Sequence, residues 1–164
     1  WARANFEKIG DDVPHLIILG QVSSSNLKNF LDEFFDEDHE GSKKQCVVIQ
    51  NCRPSNAILE IMAIKEYRQQ VVYLEGDQLD TGTLKRADIY KADAVMILND
   101  KLSFDASHAD TEIILQAMFI KNFLLQTNQN VNICMQLLKP ESGLNYNLSL
   151  DQEVVKKDQI VCIE

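Results

Sequence analysis

Short, almost wholly apolar runs alternate along the chain with segments of helical spacing. His15-Leu-Ile-Ile-Leu-Gly20 is the first such run. Its continuous apolar character predicts a strand covered on both sheet faces. Gln45 to Gln50, Val71 to Leu74, Ala94 to Leu98, Asn132 to Leu138 and Gln159 to Ile163 repeat the pattern and predict five more strands. Between the first two, Leu27, Phe30, Leu31, Phe34 and Phe35 recur at spacings of three and four, which predicts a helix burying those side chains. Ser24 or Ser25 is placed to cap it. Pro54 precedes a second helix with Ile58, Leu59, Met62 and Ile64 as apolar positions, and Leu79 to Ala87 reads as a short third. Ala109 to Phe123 predicts a long helix with Ile113, Ala117, Ile120 and Leu124 on one face. Asp36 to Lys44 reads as a surface loop. Lys139-Pro140 closes the fifth strand, and Glu141 to Asp158 carries no clear period. Strands alternating with helices predict an α/β fold: a Rossmann-like, mostly parallel sheet flanked by helices.

Charge narrows the partners. The 164 residues carry 16 basic and 25 acidic side chains, a net charge of -9. Nucleic-acid and anionic-membrane binding call for positive charge, so neither is expected. No apolar run approaches the roughly 18 residues of a membrane span, so no direct membrane insertion by this chain is expected. Trp1 to Asp11 lacks an initiator Met and resembles no signal peptide, which reads as an excised piece of a longer protein. Cys46, Cys52, Cys134 and Cys162 form no CxxC, and three of them sit in apolar runs. Reduced thiols packed in the core are expected.

A dinucleotide site would need G-x-G-x-x-G after the first strand, with glycines for the tight turn and close pyrophosphate approach. The sequence there is Gly20-Gln-Val-Ser-Ser-Ser25, with Val22 where backbone would meet a phosphate. The second strand ends Gln50-Asn51-Cys52, without the acid that binds ribose hydroxyls. No bound NAD is expected. Enzyme chemistry lacks a pattern too: the serines at 23 to 25 form no nucleophile elbow, and there is no H-E-x-x-H or P-loop. His15, His39 and His108 are expected at exposed loop or strand-end positions.

The strand His15 to Gly20, the loop Gly76-Asp-Gln-Leu79, the stretch Leu84-Lys-Arg-Ala-Asp-Ile-Tyr-Lys-Ala-Asp-Ala-Val-Met-Ile-Leu98 and Ile120-Lys-Asn-Phe123 resemble the regulator-of-potassium-conductance (RCK) domain. The resemblance is to the first such domain of the Slo group of calcium- or sodium-activated potassium channels. Met135-Gln-Leu-Leu-Lys-Pro140 and Ile160-Val-Cys-Ile-Glu164 are similar to its late strands. This implies an N-terminal RCK lobe over 15–164 after a linker or extension at 1–14. It implies a regulatory lobe, not an enzyme. Its partners would be other RCK domains in the gating ring of a homotetrameric channel, on the cytoplasmic side of the plasma membrane. Two alternatives stand beside it: a nucleotide-binding RCK subunit of a potassium uptake system, and a small Rossmann-like oxidoreductase.

The resemblance also gives the loop after the fourth strand a candidate role. Asp105 and Asp110 fall at two calcium-site aspartates of the calcium-activated Slo channels, so Ca2+, with Na+ as the alternative, is the implied ligand. An intervening acid of that family is Ser107 or Ala109 here, and further ligands would lie downstream. The loop does not follow the EF-hand pattern. From the residues alone, acids near the start of the long helix have another use, since free N–H groups and the helix dipole favour them. Asp32, Glu33, Asp36, Glu37, Asp38 and Glu40 cluster at the end of the first helix and read as solvated surface.

Overall fold

The computed structural model describes residues 14–36, 44–149 and 158–162. The extension before Pro14, most of the loop at 36–44 with His39, and the end of the last strand at Ile163 lie outside these residues. Six strands form one sheet: β1 (His15–Gly20), β2 (Gln45–Gln50), β3 (Val71–Glu75), β4 (Ala94–Leu98), β5 (Asn132–Leu137) and β6 (Gln159–Cys162). Their order is β3-β2-β1-β4-β5-β6, and each adjacent pair is parallel. The order reverses between β1 and β4, which is where open α/β sheets place their ligand crevice.

Parallel strands need covering on both faces, and the side-chain alternation sorts the core into two layers. Leu16, Ile18, Cys46, Val48, Val71 and Tyr73 pack with α1 (Ser24–Phe34) and α2 (Asn56–Ala63). Ile17, Leu19, Val47, Ile49, Val95, Ile97, Ile133 and Met135 pack on the opposite face. There they meet α3 (Thr81–Arg86), a 3-10 turn at Ile89–Lys91, α4 (Ala106–Gln126) and α5 (Pro140–Ser149). β1 is buried at all six positions, as its unbroken apolar run requires.

Helix starts follow side-chain caps. Ser23, one residue before the expected Ser24 or Ser25, accepts from Asn26 N. Ser55 and Asp80 cap α2 and α3 in the same way. On α1, Leu27 and Leu31 are fully buried. The expected core phenylalanines are only half-buried, in a ring cluster of Phe30, Phe34, Phe35 and Tyr67. Tyr67 donates to Asp32, which also pairs with Lys28 at 2.5 Å. The Lys28 and Tyr67 hydrogen bonds hold the Asp32 carboxyl below its usual range.

Other expectations need correction. His15 is fully buried, and its Nε2 donates to Ala87 O at 3.1 Å, tying the start of β1 to the end of α3. Its ring is a packed structural group rather than an exposed strand end. Pro140 opens α5 as well as ending β5. Proline lacks only an N–H that a first-turn residue does not use, and Glu141 beside it suits the positive helix end. All four cysteines are free, but core packing describes Cys46 alone; Cys134 is half-buried, while Cys52 and Cys162 are exposed. Cys162 lies on β6, which ends the sheet and is mostly exposed.

Candidate functional site

The carboxyl ends of β1 and β4 meet at the switch point, and Gly20 sets how closely. Its φ is +88°, and an added Cβ would lie 2.1 Å from Leu98 O. The next amide, Gln21 N, donates to that same carbonyl at 2.8 Å. Backbone therefore closes the gap between the two strands. Gly20 N–H donates to Gln78 Oε1 at 3.0 Å. Gln78 Nε2 reaches Ile49 O at 2.9 Å, and Gln50 Nε2 reaches Gly20 O at 3.1 Å. Two glutamine amides thus stitch together the ends of β1 and β2. Asp77 takes a turn role: its Oδ1 accepts from Leu79 N at 2.9 Å. A cleft of about 350 Å³ remains beside these groups, between the β3–α3 loop and the second and third turns of α4.

The loop from β4 to α4 holds both aspartates singled out above, and it uses them differently. Asp105 is exposed and caps α4, accepting through Oδ1 from His108 N at 3.0 Å. The helix therefore starts at Ala106 rather than Ala109. Asp110 is fully buried. Its Oδ1 accepts from Asn99 Nδ2 at 2.9 Å and Leu138 N at 2.7 Å, and its Oδ2 accepts from Lys139 N at 3.0 Å. A charged acceptor on three donors satisfies a carboxylate that burial would otherwise penalise. Asp110 therefore clamps α4 to the β4 exit and to the β5–α5 connection.

The two aspartates retain unequal capacity for a cation. The Asp105 Oδ2 lies outside the capping bond, whereas Asp110 has most of its lone pairs engaged. Calcium wants six to eight oxygens. No group of three or more His, Cys, Asp or Glu able to hold a metal occurs among the described residues. Oxygens beyond this pair would have to complete a site. His108 is exposed, with Nδ1 3.8 Å from Glu112 Oε1. Two residues that sequence reasoning missed carry the loop: buried Asn99, and Gln136, which accepts from Asn99 N at 3.4 Å. Their only sequence signal is a polar residue inside or just after an apolar strand.

A second buried polar centre anchors β6. Lys121 Nζ on α4 pairs with Asp158 Oδ1 at 2.7 Å, both side chains almost wholly buried. Asp158 also accepts from Ile133 N at 3.0 Å and from the Tyr146 hydroxyl at 2.8 Å. Burial, reinforced by Asp158, pushes the Tyr146 phenol above its ordinary range. The network ties α4, α5, β5 and β6 together, with no group in it turned to a ligand.

Comparison with known proteins places these features. The family model described as the calcium-activated potassium channel slowpoke-like RCK domain matches residues 12–135. The calcium-activated potassium channel slo-1 of Caenorhabditis elegans is 24% identical over 151 residues, covering 91% of this chain and 12% of that protein. The human SLO3 gating ring superposes with a TM-score of 0.70 at 18% identity, over 91% of this chain and 24% of that one. The GsuK RCK domain superposes at 0.60 with 14% identity, over 98% of this chain and 28% of that one. The chain thus spans about an eighth of the curated relative and about a quarter of each solved structure. It has the parallel sheet and flanking helices of an RCK N-terminal lobe, and it belongs to the slowpoke-like RCK family, regulatory rather than catalytic domains associated with potassium-channel gating rings.

Proposed function

We propose that this chain is a cytoplasmic gating-ring lobe that couples intracellular ion binding to the opening of a potassium-channel pore. The family match over residues 12–135 carries this reading. Its partners are other RCK domains in a homotetrameric channel at the plasma membrane. Coupling works by differential affinity: the ion binds the ring state that pulls the pore open more tightly than the closed state. Ca2+ is the activating ion, with Na+ the alternative. Asp105 offers the exposed carboxylate. Asp110 adds charge and orders the loop that presents Asp105, while oxygens beyond this pair complete the shell. The lobe works without NAD or ATP. Support for this lies in Val22 standing where backbone would meet a phosphate, and in Gln50 standing where a ribose-binding acid would end β2.

The test is recording from inside-out patches bearing the intact channel, with the cytoplasmic face perfused in turn with calcium, sodium, ATP or NADH. Potassium current rising with micromolar calcium is the expected result. Activation by sodium alone selects the alternative ion. Activation only by a nucleotide, or by none of the four, overturns the proposal.

A further inference from the structure

The cleft at the carboxyl edge of the sheet brings acidic and apolar groups together, and nothing described above gives it a ligand. Its floor spends its hydrogen-bond donors internally: the Gln78 and Gln50 amide nitrogens point at main-chain carbonyls of residues 20 and 49, and Gly20 N–H is held by Gln78. Its rim carries two exposed carboxylates: Asp77, whose Oδ1 accepts from Leu79 N while Oδ2 lies outside that bond, and Glu112, whose Oε2 accepts from Gln21 Nε2 at 3.4 Å and whose Oε1 lies 3.8 Å from His108 Nδ1. Among the described residues, no lysine, arginine or histidine lines it. Leu79 and Leu115 form its lips and are 47% and 57% exposed, large apolar side chains left in water on two different elements.

Two carboxylates with neither lysine nor arginine among the described lining residues repel phosphate and attract a cationic, multi-donor group, although the Gln21, Asn51 and Gln116 amides also line the cleft. The volume, about 350 Å³, is large for a bare metal ion and small for a dinucleotide. It is the size of one long side chain with part of its flanking segment. An arginine fits the chemistry. Its planar guanidinium offers five donors to the two carboxylates, and its aliphatic stem lies along leucine surface. Lysine offers a compact, strongly hydrated charge that matches the apolar lips less well. The chain's net charge of -9 favours a basic partner over an acidic one.

We propose that this cleft is a docking site for an arginine side chain on an apolar-flanked segment of a partner protein, held between Asp77 and Glu112 and gripped by Leu79 and Leu115. This goes beyond ion coupling and stands or falls separately from it, since neither Asp105 nor Asp110 borders the cleft.

The probe is the peptide acetyl-Leu-Arg-Leu-amide, titrated into the full chain while amide NMR shifts are followed. Its citrulline counterpart, free L-arginine and inorganic phosphate serve as comparisons. Saturable shifts at Gln21, Gln50, Gln78 and Gln116 are expected with the arginine peptide, and binding roughly tenfold weaker with citrulline. The double variant Asp77→Asn/Glu112→Gln keeps each side chain's shape and its capacity to accept a hydrogen bond. It is expected to lose a similar factor while its spectrum stays folded. Equal binding of the arginine and citrulline peptides overturns the proposal. So does an unchanged affinity in the folded double variant, shifts that map elsewhere, or no binding at millimolar peptide. Free arginine binding as tightly as the peptide refutes a protein segment as the occupant, and phosphate binding in the cleft refutes the charge argument.

Discussion

Replacing Asp110 with alanine removes an acceptor that three separate parts of the chain share. Asn99 is fully buried, so its amide loses its partner where water cannot replace it. Leu138 N is half-buried and recovers part of the loss, and Lys139 N sits on an exposed residue and recovers most of it. A buried donor left unsatisfied costs about 1–3 kcal/mol, with more lost when the bond was to a charge. Counting Asn99 in full, Leu138 in part and Lys139 hardly at all gives about 3–5 kcal/mol. That is a large share of the roughly 5–15 kcal/mol by which a domain is stable. At this chain length it corresponds to a melting temperature lower by roughly 6–20 °C. Asp110→Asn keeps the shape and one strong acceptor, so it costs roughly half as much. Urea unfolding of the full chain followed by circular dichroism measures both. If Asp110→Ala unfolds within about 0.5 kcal/mol of the parent, the surface range for substitutions, Asp110 is not the clamp its hydrogen bonds describe.

Gly20→Ala forces a Cβ onto Leu98 O in a left-handed backbone, so a loss of about 3 kcal/mol or more is expected in the same assay. Lys121→Met strands Asp158 without its cation and is expected to cost about 3–5 kcal/mol, whereas Lys121→Met/Asp158→Leu recovers part of that; a double variant no better than the single one counts against a pair held by charge. Burial first, then the hydrogen bond to Asp32, pushes the Tyr67 phenol up to about 12, so the folded state holds that proton more tightly than the unfolded chain. Its stabilisation is complete below pH 10 and lost between about pH 10 and 12, and Tyr67→Phe is expected to flatten the alkaline fall in melting temperature over that window. The fall is not abolished, since the Tyr73 and Tyr146 phenols are raised in the same direction.

The sheet was legible because burial on both faces writes itself as unbroken apolar runs. β1, β2 and β4 coincide with theirs, and β3 and β5 differ by one residue at an end. Polar residues that build structure were not legible. Asp105 looked like loop because its capping role depends on a backbone N–H three residues on, and the start of α4 was therefore read three residues late. Pro140 was read only as a stop, though the same residue opens α5. His15 looked exposed because its partner, Ala87 O, is 72 residues away. Of the candidate site, the two aspartates were found through family resemblance. What separates them is burial: Asp110 faces Asn99 and the 138–139 backbone, and nothing in the local sequence announces those partners.

Asp105→Asn in the intact channel is the most direct test of ion coupling through this lobe. Asparagine caps a helix as well as aspartate does, so the fold and the start of α4 are retained while one negative charge leaves the loop. Inside-out patch recordings across intracellular calcium, with Asp36→Asn as the surface-charge control, are expected to show a calcium–response curve moved to higher concentrations for Asp105→Asn alone. Its melting temperature is expected to stay at the parent's value. A calcium response that coincides with that of Asp36→Asn and the parent would contradict the assignment of Asp105 to the ion.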